Sequence, residues 1–177
     1  MFDENKVRMD LLQLQKPIIP ITGEVNHEMY RRVSTSILFL VSKGSPPIEL
    51  WIDSGGGSVA AGLDIYDLVR TYKNQVDGVV HAYAASMAAM ILQGCAKRSC
   101  MRHGTVLIHH ISRDEVKLDT LRIPVRRDQM IKRMEKSQRR LYDILSERTK
   151  QPLTKIRATC AKDEPMSAEE ALDFGLI

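Results

Sequence analysis

One order of elements recurs along the middle of the chain, and it constrains the fold more than any other feature: a strand, a turn of small residues, a helix. Ile48-Glu49-Leu50-Trp51-Ile52 reads as a strand. It runs straight into Asp53-Ser54-Gly55-Gly56-Gly57-Ser58, and then into a helix with Leu63, Ile65, Tyr66, Leu68 and Val69 on its apolar side. A second unit has a strand over Gly78–Ala82, a turn at Ser86 and a helix to about Ala96. Thr105-Val106-Leu107-Ile108-His109 reads as a further strand. Strands separated by helices pair in parallel, because the helix is the crossover that returns the chain to the same edge. The expected class is therefore α/β. Sites in such folds gather beyond the carboxyl ends of the strands. The glycine turn, Ser86 and His109 all fall at such ends.

The flanks add detail. Residues 1–16 read as an N-terminal arm. Pro17-Ile18-Ile19-Pro20-Ile21 is a short strand that its prolines confine to an edge. Thr22-Gly23-Glu24-Val25 reads as a turn, and Asn26 caps a helix whose apolar positions are Met29, Val33, Ile37, Leu40 and Val41. Gly44 and Ser45-Pro46-Pro47 end it. Residues 112–123 read as irregular and charged. Pro124 then opens a long helix to about Lys150, with a thin apolar side of Met130, Ile131, Met134, Leu141, Ile144 and Leu145. Its other faces carry Arg126, Arg127, Lys132, Arg133, Lys136, Arg139 and Arg140, which read as a solvated face. Such a helix suits a projecting arm that packs on another subunit. Ser167-Ala168-Glu169-Glu170 is a capping box before a short helix ending at Gly175.

The 177 residues suffice for one domain, 1–177. A net charge of +4 is too mild to demand nucleic acid, and 5% aromatic residues leave little to stack bases on. Three cysteines, Cys95, Cys100 and Cys160, lack both the even count of a disulfide framework and CxxC metal spacing. The charged start has no apolar core of a secretory signal, and no run nears the ~18 apolar residues of a membrane span. A cytoplasmic protein without metal or cofactor is expected.

Ser86 stands among Ala84, Ala85, Met87, Ala88 and Ala89. A serine at a strand-to-helix junction exposes its hydroxyl beside the first free N–H groups and the positive end of the helix. Acyl transfer needs that pairing of a nucleophile with donors for the oxyanion. The three glycines of 55–57 expose further backbone N–H groups, without the Lys-Ser or Lys-Thr of a phosphate loop and without GxGxxG. A serine also needs a base. Of His27, His81, His103, His109 and His110, His81 reads as packed in its strand. His109 ends a strand, and His110 would point to the opposite face. Spacing alone does not choose among them. Asp53 and Asp163 are the candidate orienting acids.

These residues resemble the proteolytic subunit family of the Clp protease, which are serine endopeptidases. Ala84-Ala85-Ser86-Met87 resembles the nucleophile motif. Ser54-Gly55-Gly56-Gly57-Ser58-Val59, with Ala61-Gly62 and Ile65-Tyr66-Asp67, is similar to the family's glycine segment and the helix after it. Val106-Leu107-Ile108-His109 resembles the strand ending in the family histidine. Lys162-Asp163, Ser167–Ala171 and Phe174-Gly175-Leu176-Ile177 resemble the aspartate segment and terminal helix. The resemblance implies a crotonase-like spiral of repeated strand–strand–helix units with a projecting helical handle at about 112–150. It implies Ser86 as nucleophile, His109 as base and acid, and Asp163 as its orienter. The oxyanion hole would be the N–H groups of Gly57 and Met87. Extended peptide would pair with Gly57, Ser58 and Val59 on one side and with His110 and Ile111 on the other. The implied assembly is a homo-oligomer, a heptameric ring stacked in pairs as a tetradecamer, acting on peptides or unfolded proteins.

The chain departs from the family pattern in places. Gly55 replaces a proline and Ala88 a glycine, and Arg113-Asp114-Glu115 replaces a glycine-rich strand. Glu49 and Thr71 stand where the family docks an ATP-driven unfoldase through aromatic side chains, and Trp51 keeps that type. Weak or absent docking is expected. Two rival expectations are a catalytically silent ring subunit with a scaffold role and, more remotely, an acyl-CoA enzyme of the same fold.

Overall fold

The computed structural model describes residues 16–112, 116 and 118–177. The expected N-terminal arm, apart from Lys16, lies outside the described residues, as does Arg113-Asp114-Glu115. Among the described residues, six strands form one sheet. Strands β1 (Ile18–Val25), β2 (Ile48–Gly57) and β3 (Val76–Ala85) run parallel in that order. Strands β4 (Lys97–Cys100) and β5 (Thr105–Leu107) both pair in parallel with β3, β4 against Asp77–Val80 and β5 against Tyr83–Ala85. Strand β6 (Met166–Ser167) adds an antiparallel edge to β5. The mixed, mostly parallel α/β fold is the one expected.

Helices α1 (His27–Ser42), α2 (Val59–Thr71) and α3 (Met87–Gly94) are the crossovers. Asn26 caps α1 by accepting from the Met29 N–H at 3.0 Å. Along β2, Ile48, Leu50, Ile52 and Ser54 are buried, while Trp51 and Asp53 face out. Every residue of α3 is buried. A helix that is apolar all round must lie inside, and the small side chains of Ala88, Ala89 and Gly94 let neighbours close on it.

The glycines do not form the expected turn. Strand β2 continues through Gly57, and β1 through the expected turn at 22–25, because Val25 pairs with Gly57 after a register shift between Thr22 and Glu24. Gly23, with φ of 81°, supplies the positive backbone angle next to that shift. Strand β5 stops at Leu107, short of the expected end at His109.

The C-terminal third holds α4 (Leu118–Arg122), α5 (Pro124–Thr149), α6 (Leu153–Lys162) and α7 (Ala168–Phe174). Helix α4 lies where irregular chain was expected, and β4 and α6 have no counterpart in the sequence reading. Helix α5 is anchored only near its end, by Leu141, Tyr142, Leu145 and Thr149. Ile131 of the expected apolar stripe is 44% exposed, and Val125 is 65% exposed. The capping box forms as expected: Ser167 Oγ accepts from Glu170 N–H, and the Glu170 carboxylate accepts from Ser167 N–H. No helix among the described residues is long and apolar enough to cross a membrane.

Candidate active site

Ser86 sits between the end of β3 and the start of α3 with φ of 54° and ψ of −122°. This is a strained conformation for a residue with a Cβ. It is held by Ser86 N–H donating to the Leu107 carbonyl at 2.9 Å and Met90 N–H donating to the Ser86 carbonyl at 3.2 Å. The hydroxyl makes no capping bond. It is therefore not spent on the helix, and Met87 N–H, first in the helix, has no intrahelical acceptor.

The glycine strand closes on this turn. A Cβ on Gly56, whose φ is 91°, would lie 2.6 Å from Ser86 Cβ, 2.7 Å from the Ala85 carbonyl oxygen and 2.8 Å from Met87 N. Only glycine lets β2 come that near. Ser54 Oγ locks the approach by accepting from Gly56 N–H and donating to the Gly23 carbonyl. Gly57, at φ of 144°, is pressed against Val25, whose carbonyl would meet a Cβ at 2.5 Å. Gly62 of α2 is packed against the Met87 side chain from the other side. Gly57, Ser86 and Met87 thus line one cleft.

That cleft, about 630 Å³, is bounded by Gly55–Gly57, Val59, Ser86 and Met87 on one side and by Ile108–Ser112 on the other. Met90, Leu141 and Leu145 give it an apolar floor. His109 enters from the segment after β5. Its Nδ1 lies 4.0 Å from Asp163 Oδ1, with the histidine side chain 22% and the aspartate side chain 67% exposed. This is ion-pair range, too long for a hydrogen bond. Asp163 ends α6 in the left-handed conformation, with φ of 53°. Burial raises the Tyr83 phenol above its ordinary pKa, and the nearby Asp163 charge adds to that. Asp53, the other candidate acid, faces outward on β2. His81 stacks against Trp51, ring centroids 4.3 Å apart.

His110 does not point away as a strand residue would, because the strand has already ended. Its Nδ1 lies 2.6 Å from the Tyr142 hydroxyl, and it lines the same cleft. Ile111 also lines it, but its N–H donates to Gln138 Oε1 at 2.6 Å. Ser58 is not free to pair with a ligand through its backbone donor: its N–H goes to the Val25 carbonyl at 2.7 Å, and its side chain caps α2. Gln138 and Tyr142 were missed by sequence reasoning. Their signal was the helical spacing of 138, 141, 142 and 145, which puts both beside Leu141 and Leu145 on one face.

The chain is thus an α/β protein with a cleft at the carboxyl ends of parallel strands, where a serine turn, a glycine strand and a histidine meet. A family model described as Clp protease matches residues 4–177, and the chain belongs to the Clp protease family. Membership implies a peptidase.

Proposed function

We propose that the chain is a serine endopeptidase that cleaves peptide bonds through an acyl-enzyme on Ser86. The observation that carries this reading is the contact of Gly56 with the Ser86 turn, which brings two backbones to one hydroxyl. His109 takes the Ser86 proton as Oγ attacks the scissile carbonyl. The oxyanion is met by the N–H groups of Gly57 and Met87. His109 then gives the proton to the leaving amine and activates the water that releases the acyl group. Asp163 faces Nδ1 and favours the tautomer that leaves Nε2 for the serine. The peptide lies extended between Gly57–Val59 and the His110–Ile111 segment.

In this reading the chain works in the cytoplasm as a heptameric ring, stacked in pairs. The sparsely buried α5 serves as the handle. Docking to an ATP-driven unfoldase is weak or absent, since Trp51 is the aromatic at that surface, beside Glu49. A silent ring subunit is the second reading, and the 4.0 Å gap between His109 and Asp163 favours it.

A fluorophosphonate probe separates the two. We expect folded wild-type protein to gain one adduct on Ser86, read by mass spectrometry, and Ser86→Ala to gain none and to lose peptidase activity by more than about a thousandfold. Folded protein that stays unmodified would turn the assignment to the silent subunit.

A further inference from the structure

A second cavity of about 650 Å³ adjoins the catalytic cleft, and Ile111 and Gln138 line both. Their linings differ in charge. The first is apolar at its floor. The second is lined by Lys132, Lys136 and Arg139 of α5 and by Arg157 of α6, with Glu135 as the one acid among its described residues. Positions 132, 135, 136 and 139 fall on one helical face. Arg157 comes from a different helix, and its guanidinium lies over the Tyr142 ring, 5.5 Å from the centroid, which fixes where that cation stands. The same Tyr142 holds His110.

Among the described residues, four cations against one anion converge from two helices on a concave surface and concentrate positive potential beside the cleft. We propose that this cavity is a specificity site for acidic side chains, so that the preferred substrates are peptides carrying Asp or Glu a few residues from the scissile bond. This deepens the peptidase reading and rests on it only for the cleft's occupant. An extended peptide seated past Ile111 sends alternate side chains to the same face, at about 7 Å intervals, so a carboxylate can reach the cavity while an apolar neighbour fills the first cleft.

The test uses full-length Ser86→Ala protein and peptides with a neutral dye. The peptides share one apolar core, flanked by Asp and Glu, by Asn and Gln, or by Lys. Anisotropy at low salt should show the acidic peptide binding about fivefold tighter than the amide peptide, the size of a few partly screened ion pairs. The Lys peptide should bind weakest, and the spread should collapse at high salt. Lys136→Glu/Arg139→Glu should invert the order while leaving the amide peptide unchanged. Arg157→Gln, a milder change, should shrink the acidic advantage about twofold. Equal binding of acidic and amide peptides would overturn the proposal. So would an acidic preference that survives charge reversal, or a reversal that alters only the oligomeric mass. Fluorophosphonate labelling of the wild type runs in parallel. Absence of an adduct beside an intact acidic preference would sink the peptidase reading alone.

Discussion

The two sides of the cleft are built differently. On the nucleophile side, Ser86, Met87 and the glycine strand are fixed by backbone: parallel pairing, a fully buried helix and contacts that only glycine permits. On the histidine side, His109 lies beyond the end of β5, in a segment held by two side chains of α5, and its acid partner sits 4.0 Å off on an exposed helix end. The nucleophile side is thus set by the fold itself. The histidine side depends on where α5 and α6 lie, and α5 buries only Leu141, Tyr142, Leu145 and Thr149 along its length. A partner that moves α5 acts on the base directly, through Gln138 and Tyr142.

Gly56→Ala tests the first half and carries the largest expected effect. The new Cβ would press on backbone atoms that cannot yield, at a positive φ. We expect a loss of about 3 kcal/mol in urea unfolding, and Ser86 labelling slower by more than about a hundredfold. The neighbouring Gly55→Ala has nothing within 4 Å of its Cβ and should stay within about 0.5 kcal/mol of wild type. Equal tolerance at both positions would break the contrast.

Asp163→Asn comes next. Asparagine keeps the left-handed conformation, so stability should hold. Because the carboxylate is two-thirds exposed and at ion-pair distance, kcat/KM should fall only about a hundredfold, less than the ~10⁴ of a buried, hydrogen-bonded triad. A fall as large as that would mean the acid is as rigidly placed as the serine. Gln138→Ala is smaller again. It strips the half-buried Ile111 N–H of its acceptor, at a cost of about 1 kcal/mol in stability and roughly tenfold in kcat. Gln138→Glu keeps an acceptor oxygen and should restore kcat, which a merely structural role would not require.

The same contrast decided what was legible in the sequence. Ser86, the strand–helix order, the Asn26 cap and the Ser167 capping box follow from local chemistry, and each was readable. The glycines were readable as a turn that exposes backbone N–H groups but not as a strand, because pairing with Val25 overrides the turn preference of Gly55-Gly56-Gly57. Strand β4 is Lys97-Arg98-Ser99-Cys100, with no apolar alternation to betray it, and it exists because the β3 edge is open to it. Helix α6 has no side-chain cap and only two buried residues, Ile156 and Cys160, so its periodic signal is faint. Gln138 joins the cleft, and Tyr142 reaches His110, only through tertiary placement of α5. What escaped the sequence belongs mostly to the histidine side, where position is set by contacts distant in the chain.

Two cysteines allow a finer comparison of the halves. Cys95 follows α3 behind the nucleophile, and its sulfur packs against Gly78, where a Cβ would come within 2.8 Å. Cys160 lies on α6, three residues before Asp163, and is 1% exposed. Burial pushes the Cys95 thiol up to about 12 and the Cys160 thiol up to about 11. Both folded values exceed the unfolded value of about 8.5. Their contribution to stability is therefore complete below that pH and is lost as pH rises through the folded values. Near pH 8 neither thiol reacts without local opening, so the alkylation rate reports how often each half opens. Cys160 should label about tenfold faster than Cys95 under native conditions, a difference of about 1.4 kcal/mol in opening free energy. The readout is mass spectrometry of peptides after a timed iodoacetamide pulse. Equal rates would place both halves in one cooperative unit. A faster Cys95 would reverse the comparison and make the nucleophile side the mobile one.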